Sequence, residues 1–369
     1  MVGFFFFSVP IPRERPQYLR DPEDMSLNPR KYGQTREKKG KKRTRSAAKQ
    51  LERQEKWQEK LAKKGLTLQD ALDFNTVIHR IQHDAHLYLT RPGRDQDTGA
   101  VLTECRFPNL GVTELPCAPD TGRFLVPMPS NVHGLPEYIV TRHDNVINAD
   151  TRRILKASFK DFMDTKPTAG GNPTREVARS DTKVFPTFHV GGWSKYSKDI
   201  FLTGDSKNQD TESTKALHSL MGTLGKLVIP KVEKTLRSLL PSHFETTDSV
   251  RKLIQEKYPQ IYEAGDGVFD FHGLGNALAF CSGYSDGMHI DLGDSKETVA
   301  VILAAEEAVV HFCIPQLDLK IPLYPGQCLT VSARLLSHYA YLFEGTGERL
   351  LFNFFTDEGS VAKAKRHAC

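Results

Sequence analysis

Residues 298–331, TVAVILAAEEAVVHFCIPQLDLKIPLYPGQCLTV, hold the pattern that decides the fold of this chain. Short apolar runs rich in Val, Ile and Leu follow one another, with turn residues such as Tyr324-Pro325-Gly326 between them. Such runs, bounded by turn signals, are typical of β-strands. The pattern predicts strands at 298–304, 309–314, 319–322 and 328–331.

The same texture continues on both sides of this stretch. It predicts further strands at 268–271, 277–280, 289–291, 339–343 and 349–356. Many short strands at this spacing indicate a barrel or a sandwich.

Helical patterns dominate the sequence before Gly265. One helix is expected over 213–240, because apolar residues recur there at helical spacing, and Pro230 should kink or split it. A second helix is expected over 247–262, after Ser/Thr/Asp cap candidates. Helices followed by strands make the predicted fold class α+β.

The net charge of +5 conceals two oppositely charged regions. Residues 30–64 contain 15 basic and four acidic residues, a net charge of +11, so the other 334 residues carry −6. The cluster Lys38, Lys39, Lys41, Lys42, Arg43 and Arg45 fits either a nuclear import signal or an arm that binds phosphates. A solvated charge run without a specific partner is the alternative.

Composition excludes several classes of protein. With 39% hydrophobic residues the chain can bury a core, which rules out a wholly disordered or fibrous protein. Six scattered cysteines without a CxxC pair suit a reducing compartment and support neither a disulfide framework nor a structural zinc site. No apolar run reaches the roughly 18–20 residues of a membrane span. The apolar run from Phe4 to Phe7 is too short for the core of a signal peptide, so we expect a non-secretory N-terminus.

Two histidines and an aspartate, spaced so that a β-sheet can bring them together, indicate a metal site. His289 and Asp291 are two positions apart, so in a strand they point to the same face, and His338 follows 47 residues later. Two histidines and one carboxylate form the facial set that binds non-haem Fe(II) and leaves coordination positions open. Arg349, eleven residues after His338, could hold the far carboxylate of a chelating dicarboxylate bidentately.

Less specific interpretations of these residues stay open. His289 and Asp291 could be a strand-edge pair, His338 a core histidine and Arg349 a surface ion-pair partner. His243-Phe244-Glu245 is a rival HxE pair, which the sequence places in a linker between two helices. His311 competes for the role of second histidine, although a core or rim position suits it better. Trp193 is interpreted as a core residue.

The last strand extends the candidate site. Counting by twos from Arg349, one face carries Leu351, Asn353, Phe355 and Asp357. Phe355 is expected to stack on a planar substrate and Asp357 to reach a polar edge of it. Asp294, three residues after Asp291, is expected at the same mouth, with a turn-forming role beside Gly293 as the alternative.

The order HxD, His, Arg inside a strand-rich segment resembles the 2-oxoglutarate/Fe(II) dioxygenases. Residues 287–294 (GMHIDLGD), 298–305 and 349–355 (RLLFNFF) are similar to the TET/JBP group, which oxidises methylated bases in nucleic acid. The match is closest to compact fungal members. In related members the positions of Asp294, Phe355 and Asp357 contact the flipped base. Because the last position is more often His, the base, methylcytosine or methyladenine, stays open.

The resemblance implies a double-stranded β-helix (jelly-roll) with flanking helices. The composition of the N-terminal residues predicts a basic arm that is partly disordered and partly helical. The arm is expected over 1–75 and the dioxygenase domain over 76–369, with a helical half over about 76–264 and a barrel over about 265–357. His289, Asp291 and His338 would hold Fe(II), Arg349 would hold 2-oxoglutarate, and O₂ would be consumed. Asp294, Asn353, Phe355 and Asp357 would bind the substrate.

The function expected from this resemblance is oxidation of a methylated base in double-stranded DNA inside the nucleus. The likeness implies 5-methylcytosine as the first choice, converted to 5-hydroxymethylcytosine and further oxidised forms, with N6-methyladenine as a second possibility. No membrane and no obligate protein partner are expected. Two alternatives stay open: a dioxygenase that hydroxylates a protein or a small molecule, and an inactive nucleic-acid-binding module.

Overall fold

The four strands predicted within residues 298–331 are confirmed. In the computed structural model they are β7 (Ala300–Ala304), β8 (Val309–Ile314), β9 (Leu319–Leu323) and β10 (Cys328–Val331). The structure describes residues 76–78, 117–128, 134–169, 187–194, 197–282, 289–305, 308–317, 319–344 and 350–368.

The remaining elements fall on both sides of these strands. The other strands are β1 (Thr76–Ile78), β2 (Arg123–Pro127), β3 (Tyr138–His143), β4 (Thr187–Trp193), β5 (Phe201–Leu202), β6 (Ala277–Ser282), β11 (Tyr339–Glu344) and β12 (Leu350–Phe355). The helices are α1 (Ala149–Asp164), α2 (Gly204–Lys207), α3 (Thr211–Leu227), α4 (Ile229–Leu236), α5 (Pro241–Lys257), α6 (Gln260–Glu263) and α7 (Glu358–Ala368). None of the described helices is long and apolar enough to cross a membrane.

The strands form two sheets between which the chain alternates. The larger has the order β1-β2-β3-β10-β7-β12-β6-β4-β5 and the smaller the order β11-β8-β9, and their described neighbours are antiparallel apart from the β1–β2 pair. From β6 onward the chain passes repeatedly from one sheet to the other, which is the winding of a double-stranded β-helix. The predicted α+β jelly-roll is therefore confirmed.

Alternation along β12 shows how the large sheet separates two cores. Leu350, Phe352 and Phe354 face the helices and are fully buried with residues of α1 and α3. Leu351 faces the other way and packs in the core between the two sheets. Two-residue periodicity with apolar side chains on both faces is expected for a strand covered on both sides. The metal-ligand candidates lie at the end of the core between the sheets.

The helix predictions hold with changed boundaries. The helix expected over 213–240 is present as α3 and α4, which meet at Val228, just before Pro230. Pro230 lies in the first turn of α4, where its missing N–H costs nothing. The helix expected over 247–262 begins earlier, at Pro241, and ends at Lys257 as α5. Helix α1 was not predicted; the Asn148 side chain accepts a hydrogen bond from the Thr151 N–H at its N-terminus.

The strand predicted just after residue 265 was wrong. Residues 268–271 form turns instead of a strand, because Asp266 (φ 56°) and His272 (φ 52°) on either side adopt left-handed conformations that interrupt extended backbone. Arg251 on α5 holds this segment through a bidentate ion pair with Asp270, at 2.6 to 3.0 Å. The predicted helical half over about 76–264 also contributes strands β1 to β5 to the large sheet.

Candidate metal centre and the aromatic wall beside it

The two candidate histidines lie opposite each other at the mouth of the barrel. His289 and His338 exchange both backbone hydrogen bonds, at 3.0 Å and 2.9 Å, and form an isolated antiparallel bridge at the start of β11. Directly opposed residues of an antiparallel pair have their side chains on the same face. The imidazole centroids are 4.4 Å apart. The predicted strand at 289–291 is thus reduced to this bridge, which is enough to bring the rings together.

Asp291 completes the set of three ligands. Its backbone N–H donates to the Ala333 carbonyl at 3.1 Å, which turns the chain toward His338. One carboxylate oxygen lies 3.8 Å from His289 Nε2 and the other 3.7 Å from His338 Nε2. Both distances exceed those of hydrogen bonds. One ligand atom from each residue lies within 4.8 Å of the others, which leaves room for a cation among them.

His338 is held in the tautomer that metal binding requires. Its Nδ1 lies 2.9 Å from the Leu336 carbonyl, which can only accept, so Nδ1 carries the proton and Nε2 keeps its lone pair. The Phe312 ring of β8 stacks on the imidazole, with centroids 5.2 Å apart and an angle of 19° between the planes. The ring is thus fixed in orientation before any cation binds.

The exposure of the three side chains leaves the site open on one side. The His338 side chain is 6% exposed, whereas those of His289 and Asp291 are 26% and 27% exposed. Two imidazoles and a carboxylate with an accessible side fit Fe(II) and further ligands at its open positions. The residues present therefore suit the group that the sequence resemblance implies.

The rival ligands do not take part. His243 is buried in α5, where Nδ1 accepts a hydrogen bond from the Val299 N–H, while Glu245 points to solvent, so the two cannot share a cation. His311 lies next to Phe312 on β8, and successive residues of a strand face opposite ways, so it points away from His338. Burial, followed by the charge of Lys320, lowers the pKa of His311.

The metal-ligand segment is tied to the end of β12. Asp294 and Asp357 form an isolated backbone bridge, the Ser295 N–H donates to the Thr356 carbonyl at 2.8 Å, and the Glu358 N–H donates to the Gly293 carbonyl at 3.0 Å. The half-buried Asp294 also closes a turn by donating its N–H to the Asp291 carbonyl at 3.0 Å. The segment 289–295 therefore spans from β11 to β12 and places Asp294 at the mouth.

Two of the residues predicted to bind the substrate share the face of β12 that looks between the sheets. Phe355 is 8% exposed, and Asn353 is partly exposed. The buried Asn353 Oδ1 has no hydrogen-bond partner among the described residues. A buried acceptor without a partner is costly, so it marks a place where a ligand donor can bind.

His189 and Trp193 extend this face; the sequence had not marked His189, and it had assigned Trp193 to the core, whereas Trp193 is only half-buried. In the register of the sheet His189 (β4) lies opposite Ala279 (β6), which lies opposite Asn353 (β12). The His189 ring meets Phe355 edge-on at 6.4 Å between centroids and lies 5.6 Å from the half-buried Trp193 ring. We call His189, Trp193 and Phe355 the aromatic wall. The sequence could have predicted the wall only if the pairing of β4 with β6 were known, and no local sequence pattern indicates that pairing.

Asp357 requires a correction. Its side chain was predicted to reach a substrate, but the residue is 6% exposed and its carboxylate points into the protein. One oxygen accepts from the Ser194 hydroxyl at 2.8 Å and from the Ser360 N–H at 3.0 Å, and the other accepts from the Asn276 amide at 3.0 Å. Asp357 is also the residue that precedes α7, where a carboxylate stabilises the free N–H groups of the first turn.

Two groups of predicted residues lie outside the described residues. Arg349, the candidate 2-oxoglutarate ligand, is in the stretch 345–349, and the arm over 1–75 is also undescribed. The basic residues of that arm are Lys38, Lys39, Lys41, Lys42, Arg43 and Arg45. Their roles stay predictions.

Comparison with known proteins gives likenesses of fold alone. No protein-family model and no curated protein matches the chain. Among solved structures, NgTET1 in complex with 5mC DNA has a TM-score of 0.45 and 13% identity, covering 71% of this chain and 91% of that one. OsALKBH1 has a TM-score of 0.31 and 11% identity, covering 59% and 97%. Both TM-scores are below 0.5, and the function is therefore argued below from the residues of the site.

Proposed function

We propose that the protein is an Fe(II)- and 2-oxoglutarate-dependent dioxygenase that oxidises a methyl group on a base in DNA. The observation that carries this proposal is the convergence of His289, Asp291 and His338 to within 4.8 Å at the mouth of a double-stranded β-helix. Two imidazoles and one carboxylate with open positions are typical of sites that activate O₂ on Fe(II).

Each residue of the site would have a separate role in the reaction. When bound, Fe(II) supplies the activation of O₂ coupled to oxidative decarboxylation of 2-oxoglutarate, so that a methyl group becomes hydroxymethyl while succinate and CO₂ are released. His338 presents Nε2 because Leu336 holds the Nδ1 proton. Arg349 is proposed to bind the far carboxylate of 2-oxoglutarate, for which a planar guanidinium is suited.

A planar methylated base suits the surroundings of the site. The aromatic wall offers ring faces and edges, and stacking of a base on an aromatic side chain contributes about 1–3 kcal/mol. That contribution partly offsets the few kcal/mol needed to extrude a base from the duplex. The segment 30–64, with its charge of +11, would add attraction to phosphates that does not depend on sequence. The motifs at 287–294 and 349–355 favour 5-methylcytosine first and N6-methyladenine second.

Mass spectrometry of methylated oligonucleotides tests the proposal directly. Duplexes with 5-methylcytosine or N6-methyladenine are incubated with protein, Fe(II), 2-oxoglutarate and O₂. A mass gain of one oxygen at the methylated base, matched by succinate formation, is expected. His289→Ala should abolish both, whereas His243→Asn, at the rival histidine, should leave both in place.

Two alternatives give different results in the same experiment. A dioxygenase for proteins or small molecules would convert 2-oxoglutarate to succinate without oxidising either duplex. An inactive binding module would do neither, yet would still bind DNA.

Nuclear localisation is part of the proposal, and a fluorescent fusion with Lys38, Lys39, Lys41, Lys42, Arg43 and Arg45 replaced by Gln should lose nuclear accumulation.

A further inference from the structure

Asp357 joins four other parts of the chain, three through its carboxylate and one through its backbone. Its oxygens accept hydrogen bonds from Ser194 after β4, Asn276 before β6 and Ser360 in α7, while its own backbone bridges Asp294 in the metal-ligand segment. Ser194, Asn276 and Ser360 are buried as well. We call these four residues, Ser194, Asn276, Asp357 and Ser360, the Asp357 clamp.

The clamp is continuous with the aromatic wall. Ser194 directly follows Trp193, and Asp357 lies two residues after Phe355. Asn276 binds both strands of the wall, because its N–H donates to the Phe355 carbonyl at 3.1 Å and its side-chain amide donates to the Gly192 carbonyl at 2.6 Å. The separation of the Trp193 and Phe355 backbones is therefore set through Asn276 and Asp357.

Close packing leaves the clamp little freedom to rearrange. A Cβ on Gly275 would lie 2.4 Å from the Phe355 carbonyl oxygen, and one on Gly359 would lie 2.2 Å from Ser194 Oγ. Gly275 thus lets the Phe355 backbone approach, and Gly359 makes room for the Ser194 hydroxyl. The Asp357 side chain has no room to swing outward without breaking bonds on several elements at once.

We infer that Asp357 is a positioning residue: it holds the aromatic wall against the metal-ligand segment and does not itself contact the substrate. This role rests on the proposed function for the identity of the substrate, a planar base. Removal of the carboxylate should misplace Trp193 and Phe355 relative to His289 and Asp291. A displacement of about 1 Å in a substrate-positioning group can reduce kcat/KM by roughly 100-fold.

The first measurement needs no activity. Ser194 and Ser360 each donate a backbone N–H to the carboxylate, at 3.3 Å and 3.0 Å. Hydrogen exchange of both amides should accelerate in Asp357→Ala. In a Trp57→Phe background Trp193 is the single tryptophan, and its emission should shift in the same variant. Unchanged exchange and emission would overturn the clamp, whatever reaction the protein performs.

The second measurement separates positioning from contact. If Asp357 acts through Ser194, then Ser194→Ala should raise KM for the methylated duplex by roughly the factor seen in Asp357→Ala, and the double variant should add little, because the two residues act as a unit. KM for 2-oxoglutarate and Fe(II) affinity should stay within about twofold in all three. A neutral Ser194→Ala together with a changed base preference in Asp357→Asn would overturn the inference.

A matched control excludes general destabilisation. Asp210 precedes α3 and accepts a hydrogen bond from the Ser213 N–H at 2.8 Å, as Asp357 does from Ser360 before α7, but this bond stays within α3 and reaches no residue of the wall. Asp210→Ala should lower Tm as well, because it removes a carboxylate cap, but by less than Asp357→Ala, which also breaks hydrogen bonds to Ser194 and Asn276. The Asp210 variant should leave KM for the duplex unchanged. If Asp210→Ala raised KM as much as Asp357→Ala does, the effect of Asp357→Ala would be explained by lost stability alone.

Discussion

The ring of Phe312 stacks on the imidazole of His338, with centroids 5.2 Å apart and planes inclined by 19°. Together with the hydrogen bond from Nδ1 to the Leu336 carbonyl, the stack holds the most buried of the three ligands in place. Residues that orient a metal ligand contribute about 10- to 100-fold to metal affinity in other sites.

Phe312→Leu should therefore weaken metal binding. We expect Fe(II) affinity, measured by anaerobic titration, to fall by roughly 10-fold because the imidazole regains rotational freedom. Phe354→Leu is the control, since Phe354 is equally large and buried but faces the helices. Both variants should lose stability to a similar extent, about 1–2 kcal/mol. Equal metal affinities in the two would contradict the role of the stack.

Arg349→Ala should raise the requirement for 2-oxoglutarate strongly and leave Fe(II) binding nearly intact. A truncated side chain removes the partner of the far carboxylate while the three metal ligands remain. Succinate formation at varied 2-oxoglutarate concentration gives one value, and metal titration gives the other. Parallel loss of both would show that Arg349 supports the fold instead.

Asn353→Leu should be nearly neutral for stability and harmful for the reaction. The buried Asn353 Oδ1 makes no hydrogen bond among the described residues. Replacing Asn353 by an apolar side chain of similar volume therefore breaks no hydrogen bond of this oxygen. If the amide binds substrate or cosubstrate, the KM of one of them should rise by roughly 10-fold. A large fall in Tm with unchanged KM values would rule out a binding role.

Stability should decline as the pH falls below about 6.5. Burial lowers the pKa of His243 to about 4, and burial with the charges of Arg123 and Arg142 lowers the pKa of His143 to about 3. Below pH 6.5 these histidines take up protons in the unfolded chain but not in the native one. Stability is therefore lost progressively down to about pH 4 and pH 3, respectively, at up to ~1.4 kcal/mol per pH unit for each group.

Urea unfolding between pH 7 and pH 4.5 measures this effect. His243→Asn removes one of the two titrating groups and keeps an acceptor near the Val299 N–H, which His243 Nδ1 serves in the native chain. Its stability should depend less steeply on pH than that of the parent protein. An unaltered slope would mean that His243 does not titrate as burial requires.

The basic cluster should control the salt dependence of DNA binding. Replacement of Lys38, Lys39, Lys41, Lys42, Arg43 and Arg45 by Gln removes six positive charges. If these side chains neutralise phosphates, the slope of log K against log salt should become shallower by about 0.9 for each phosphate that is no longer neutralised. An unchanged slope would weaken the assignment of DNA as the substrate, because attraction to the polyanion would then reside elsewhere.

The barrel strands were predictable because their signal is local. Residues 298–331 carry apolar runs and turn residues within a few positions of one another, and β7, β8, β9 and β10 follow them closely. The segment 268–271 has similar composition but forms turns, since the left-handed residues beside it decide the path of the backbone. Composition alone does not report such dihedral angles.

The sequence by itself determined the α+β class and the candidate ligands His289, Asp291 and His338, because residue type and spacing carry that information. Only the tertiary structure decided how those side chains meet, since His289 and His338 pair across 49 positions of chain. It also decided that Asp357 faces inward and that His189 joins the wall. The position of His189 depends on the pairing of β4 with β6, and the orientation of Asp357 depends on the hydrogen-bond donors that surround its carboxylate. Hydrogen bonds between segments far apart in the chain produce no periodic pattern in the sequence.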